Sequence, residues 1–173
     1  RKHRSEKPFA LMAFDISAVE RHCFISAEER TLLLSKERPI VLLERKPESD
    51  LAVDEIAPGL NQLGVMLAYT PLHLLLLEPG DGFPDLLVMT SANLSEEPIA
   101  YRDEDAFERL DGLADAFLIH NRPIHTRIDD SVVTVARNST YFFRRARGHA
   151  PNPLLMPENL PQILAVGPEL KNT

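Results

Sequence analysis

The stretch "LGVMLAYTPLHLLLL", Leu63 to Leu77, decides the fold: read whole it is one apolar helix, read in two it is a strand and then a helix. The Thr70-Pro71 step divides it, because the residue before a proline is pushed out of the helical region. A strand at Leu63–Ala68 and a helix at Leu72–Leu77 follow.

The flanking sequence agrees. After the turn "EPGDGFPD", "LLVMT" reads as a strand and "YRDEDAFERLDGLA" as a helix, with Phe107, Leu110 and Leu113 at helical spacing and acids in its first turn. "AFLIH", "DSVVTVA" and "TYFFRR" are three more strand candidates. Upstream, "PFALMAF" (8–14) and "PIVLLE" (39–44) read as strands, and Ser26 and Glu29 stand at capping-box spacing ahead of Leu32, Leu33 and Leu34. Residues 46–61, with Pro47, Pro58 and Gly59, read as a loop holding at most one helical turn. Strands interleaved with helices predict an α/β fold, an open mixed sheet that turns antiparallel where strands follow one another without helices. From Pro151 the pattern changes: a proline-rich linker leads into "ILAVGPELKNT", which reads as a new strand. The expected division is therefore a domain over 1–150 and, over 151–173, a linker with the first strand of another domain, the whole being a piece of a larger protein.

A chain of 173 residues with 44% hydrophobic residues can bury a core, and a net charge of −7 argues against general nucleic-acid binding. No apolar run spans a membrane and no signal peptide is evident; with one cysteine, Cys23, the expected setting is cytoplasmic. The charge is uneven, however. Lys2, Arg4 and Lys7 crowd the start, Arg144, Arg145 and Arg147 the far end, and residues 96–115 between them are acidic. Two basic clusters on an acidic chain point to a local anion site, and each alone reads equally as solvated surface.

The other chemistry-bearing stretches are "LLVMTSANLSEEPI" and "HNRPIHTRIDDSVV". The first delivers Ser91 and Asn93 to the end of a strand, which can build a ligand site or simply end the strand. The second gathers His120, Asn121, Arg122, His125, Arg127, Asp129, Asp130 and Ser131 between two apolar runs. The two histidines lack a third ligand at metal-site spacing, so no metal site is expected there; a carboxylate pair can hold magnesium beside a nucleotide. No glycine-rich phosphate loop and no convincing nucleophile is present: Cys23 reads as a buried small residue and His73 as a core or edge histidine.

Together "KHRSEKPFALM", "LGVMLAYTPLHLLLL", "LVMTSANLSEEPI", "HNRPIHTRIDDSVV", "RRARGHAP" and "ILAVGPELKNT" occur in the order seen in HypF-type [NiFe]-hydrogenase maturation carbamoyltransferases, which the chain resembles along its length. The resemblance implies a YrdC-like open twisted mixed β-sheet flanked by helices, a truncated domain lacking an N-terminal strand and helix. It implies ATP-dependent activation of carbamate, derived from carbamoyl phosphate, as carbamoyl-adenylate, for transfer to a cysteine thiol of a HypE-type partner in cyanide ligand synthesis. ATP and Mg2+ are the implied cofactors. Carried over by motif, Lys2, Arg4 and Lys7 would hold phosphates, Ser91 and Asn93 would contact phosphate or acyl group, and Ser131 would face the adenylate. One of Arg144, Arg145 and Arg147 would bind phosphate, with Arg122, Arg127 and Asp130 as further lining. A YrdC-type threonylcarbamoyl-adenylate synthase of tRNA modification and a non-catalytic RNA-binding module are the alternatives; "IHTRIDDSVV", "RRARG" and "ILAVGPELKNT" speak against the first and the acidic, tryptophan-free composition against the second.

Overall fold

The Thr70-Pro71 step does divide its stretch. The computed structural model describes residues 8–94, 97–155 and 161–164. In chain order the elements are β1 (Ala10–Ala13), α1 (Ile16–Glu20), α2 (Ala27–Leu34), β2 (Ile40–Glu44), α3 (Val53–Ile56), β3 (Gln62–Leu67), α4 (Pro71–Leu77), β4 (Leu86–Met89), α5 (Asp103–Leu110), β5 (Val132–Ala136) and β6 (Ser139–Arg144). Thr70 caps α4, its hydroxyl accepting the His73 N–H at 3.1 Å. The Ser26/Glu29 capping box on α2 is complete in both directions.

The six strands form one open sheet in the order β4-β1-β3-β2-β5-β6. β1 and β3 run parallel, as do β2 and β5; the other neighbours are antiparallel. Alternation along the strands splits the core between two faces. Leu11, Ala13, Val41, Leu43, Val65, Leu67 and Val133 form one layer with Ala18 and Val19 of α1, Leu33 of α2 and Ile56 of α3. Met12, Ile40, Met66 and Ala68 face the other way, against Leu77 of α4. Burial on both faces is why β1 and β3 read as continuous apolar runs rather than alternating ones.

Two elements depart from the sequence reading. Residues 116–120, "AFLIH", form no strand: among the described residues they pair with neither open edge of the sheet, and a strand needs a neighbour for its backbone groups. Phe117 instead packs edge-on against Phe107 of α5, ring centroids 5.1 Å apart. Conversely α1 went unread; it is five residues long, and its signal is Asp15, whose carboxylate accepts the Ala18 N–H. Ile163 and Leu164 lie in no element, and the remainder of "ILAVGPELKNT" is outside the described residues.

Candidate functional site

The strand end at "TSAN" is built by hydrogen bonds within the turn. Ser91 donates to Asn93 Oδ1 at 2.6 Å, and Asn93 Nδ2 donates to the Glu97 carbonyl at 2.7 Å. Asn93 is 4% exposed, so its amide serves to hold the turn after β4 in shape. Arg109 on α5 braces the same segment, reaching the Glu97 carboxylate at 2.7 Å and the Pro98 carbonyl at 2.8 Å. In the β1–β4 register Ala10 faces Met89, so the chain leaving β4 and the chain arriving at β1 through Pro8 and Phe9 share one end of the sheet.

The basic cluster after β6 is wired more tightly. Ser131, fully buried, donates to the Arg147 carbonyl at 2.9 Å and accepts from the Ala146 N–H at 2.8 Å, with His149 Nδ1 at 3.2 Å. Arg144 pairs with Asp129 at 3.1 Å and donates to the Asp130 carbonyl. Arg147 pairs with Asp130 at 2.7 Å, donates to the carbonyls of Glu37 and Arg38, and lies 3.8 Å over the Tyr69 ring. Arg145 donates to the carbonyls of His149 and Asn152 and has no carboxylate partner among the described residues. Glycine is required at 148, where φ is +84° and a Cβ would stand 2.5 Å from the Glu37 carbonyl oxygen.

Burial sets the titration of the groups beneath this cluster. It lowers the His73 pKa, helped by the Arg147 charge and opposed by Asp130, and it raises that of Tyr69. The His73 ring stands edge-on to Tyr69, centroids 4.5 Å apart, and its buried Nδ1 has no hydrogen-bond partner among the described residues.

The strand directions put these two assemblies at opposite ends of the sheet. β4 ends beside the start of β1, whereas Ser131, ahead of β5, and the arginines, at and beyond the end of β6, lie at the end where β1 and β3 finish. Asn93 and Arg145 therefore do not meet at one strand end, and a ligand touching both must span the length of the strands. Lys2, Arg4 and Lys7 lie outside the described residues. Arg122 lines a cavity of about 260 Å³ with His120, Tyr101 and Arg102 at the start of α5. Arg127 is exposed in the loop between. Among the described residues no group of three histidine, cysteine or carboxylate side chains could hold a metal ion. The Asp129–Asp130 pair is committed to Arg144 and Arg147, so it does not fit magnesium. Sequence reasoning missed Tyr69 and Arg38 at this end; their only signal was position, two residues ahead of Pro71 and directly ahead of Pro39.

A domain-family model named Sua5_yciO_yrdC, described as telomere recombination, matches residues 1–146. Carbamoyltransferase HypF2 of Cupriavidus necator is 42% identical over the whole chain, which spans 23% of that protein's length. A solved structure described as full-length HypF in the phosphate- and nucleotide-bound form is 51% identical, with a TM-score of 0.82, over 90% of this chain and 20% of that one. P. abyssi Sua5 complexed with L-threonine superposes with a TM-score of 0.68 at 18% identity, over 84% of this chain and 42% of that one, a likeness of fold.

Proposed function

Because the chain belongs to the Sua5/YciO/YrdC domain family, its sheet being the YrdC-like fold, we propose that it is the nucleotide-handling unit of a carbamoyltransferase. The observation that carries this reading is the 51% identity to HypF in its phosphate- and nucleotide-bound form. The reaction is activation of carbamate, derived from carbamoyl phosphate, as carbamoyl-adenylate, for delivery to the cysteine thiol of a HypE-type partner in hydrogenase maturation. Carbamate oxygen attacks the α-phosphate in line, and pyrophosphate leaves with the electron pair of the broken P–O bond; ATP supplies the adenylyl group.

Catalysis of that kind needs aligned reactants and neutralised phosphate charge rather than a nucleophilic side chain. Lys2, Arg4 and Lys7 are proposed to carry the phosphate charge. Ser91 is proposed to meet the phosphate or acyl group at the end of β4, where a small side chain allows close approach, with buried Asn93 holding the turn that presents it. At the opposite end of the strands from Ser91, Arg145 is the arginine proposed for a phosphate of a ligand long enough to span them, because Arg144 and Arg147 already neutralise Asp129 and Asp130. Ser131, Arg122, Arg127 and Asp130 are proposed as supporting residues. Mg2+ is proposed to enter on the ATP phosphates, which supply most of its ligands and whose charge it would neutralise.

The test is carbamoyl-phosphate-dependent exchange of labelled pyrophosphate into ATP by the full-length polypeptide carrying this chain. Lys2→Ala and Ser91→Ala should each lower the exchange rate at least tenfold, since a charge-assisted hydrogen bond contributes about 1.5–3 kcal/mol. Unchanged exchange in both variants would remove the site assignment. Exchange that depends on threonine and bicarbonate instead of carbamoyl phosphate would move the chain to tRNA modification.

A further inference from the structure

β1 and β3 are adjacent and parallel, yet the helices that follow them part company. α1 leaves β1 and buries Ala18 and Val19 on the Leu11/Ala13 face, while α4 leaves β3 and buries Leu77 on the Met12/Met66 face. In open α/β sheets the crevice at the carboxyl ends of two strands whose connections diverge in this way is where ligands sit. Here that crevice holds a cavity of about 380 Å³. At about 30 Å³ per water it has room for roughly a dozen solvent-sized groups.

Its walls are Phe14, Leu34, Leu67, Tyr69 and Leu74, and its charged groups are Lys36, Arg38 and Asp15. Arg38 is half-buried and donates to the Leu33 carbonyl at 3.0 Å; among the described residues no carboxylate pairs with it. Lys36 stands 3.9 Å from Glu37 and is largely solvated. Asp15 spends one oxygen on the α1 cap and opposes an anion, and Glu37 stands beside Lys36, so the cation the crevice offers is Arg38. Arg38 adopts a left-handed backbone, φ 46°, uncommon for a residue with a Cβ. Arg147 secures it by gripping the Glu37 and Arg38 carbonyls while lying over the Tyr69 ring. One guanidinium thus positions both the cation and the aromatic wall.

We propose that this crevice binds a small organic anion, with Arg38 contacting its carboxylate or phosphate-monoester head and the Tyr69–Leu74 wall its apolar body. None of the residues assigned above to adenylation lines it, so the site stands apart from that reading.

The test titrates the chain with phenyl phosphate, benzoate and inorganic phosphate, by calorimetry and saturation-transfer NMR. At least one aromatic anion should bind saturably, and the tighter of the two identifies the head group. Inorganic phosphate, which has no apolar body, should bind at least tenfold more weakly. Arg38→Gln should weaken the aromatic anion about tenfold or more, while Arg137→Gln, on the exposed β5–β6 turn, should not. Should Arg38→Gln fail to fold, Leu74→Glu, which sets a carboxylate at the half-exposed wall, must abolish binding in its place. No saturable binding by either aromatic anion, equal binding of inorganic phosphate, or binding indifferent to these changes would overturn the proposal.

Discussion

Replacing Ser131 with alanine would strand the Ala146 N–H and the Arg147 carbonyl, both of which the hydroxyl satisfies from a fully buried position. Leaving buried groups unpaired costs about 1–3 kcal/mol, so Ser131→Ala should lower the urea midpoint by that equivalent. A loss below about 0.5 kcal/mol would put the hydroxyl among ordinary surface groups. His73 gives the matching pH prediction. Its folded pKa lies below the ordinary 6.5 because burial and the Arg147 charge disfavour the imidazolium, with Asp130 opposing. As pH falls through 6.5 the unfolded chain takes the proton first, so stability contributed by the neutral ring is full above 6.5 and declines below it. His73→Phe, which keeps an aromatic against Tyr69, should flatten that decline when unfolding is followed at neutral and acid pH. Identical acid limbs in the two proteins would refute the assignment.

At the level of elements, Gly148 is the position with least latitude. An alanine there would bring its Cβ within 2.5 Å of the Glu37 oxygen and 2.8 Å of the Glu37 Cα, in a left-handed backbone. Gly148→Ala should therefore cost more than the roughly 1 kcal/mol of an ordinary glycine effect, read as a lowered thermal midpoint. The elements also show what the amino-acid order discloses. The α2 capping box and the Thr70-Pro71 break are local, formed by residues three or fewer apart, and both were legible. "AFLIH" was not, because its hydrophobicity is that of a strand and only the absence of a neighbour forbids one. The candidate site was half legible for the same reason. "TSAN" and the arginines were recognisable as motifs, but their placement at opposite strand ends follows from β5 joining β2 in parallel, which no local pattern encodes. Arg147 finds carbonyls 109 and 110 residues away, beyond any spacing rule.

Among the described residues no further strand covers β4 or β6 at the two sides of the sheet, and both carry exposed apolar side chains. Val88 of β4 is 50% exposed, Phe143 of β6 is 68% exposed, and Leu75 on the nearby α4 is 72% exposed. Open apolar strand edges template association, and charges suppress it. Val88→Lys should reduce self-association of the 173-residue chain in sedimentation while shifting the thermal midpoint by only a few degrees. Unaltered sedimentation would show that β4 is not the adhesive side.

The pairing of β2 with β5 bears on how the chain is made. Glu44 and Val132 bracket the stretch a ribosome must translate between completing one strand and starting its neighbour, and at about 5–20 residues per second that takes on the order of 4–18 s. Through that interval β2 can pair with β3 along one edge, while its other edge waits for a strand not yet synthesised. Chaperone demand during biogenesis should therefore concentrate on β2 and fall away once the Arg147 turn has cleared the exit tunnel.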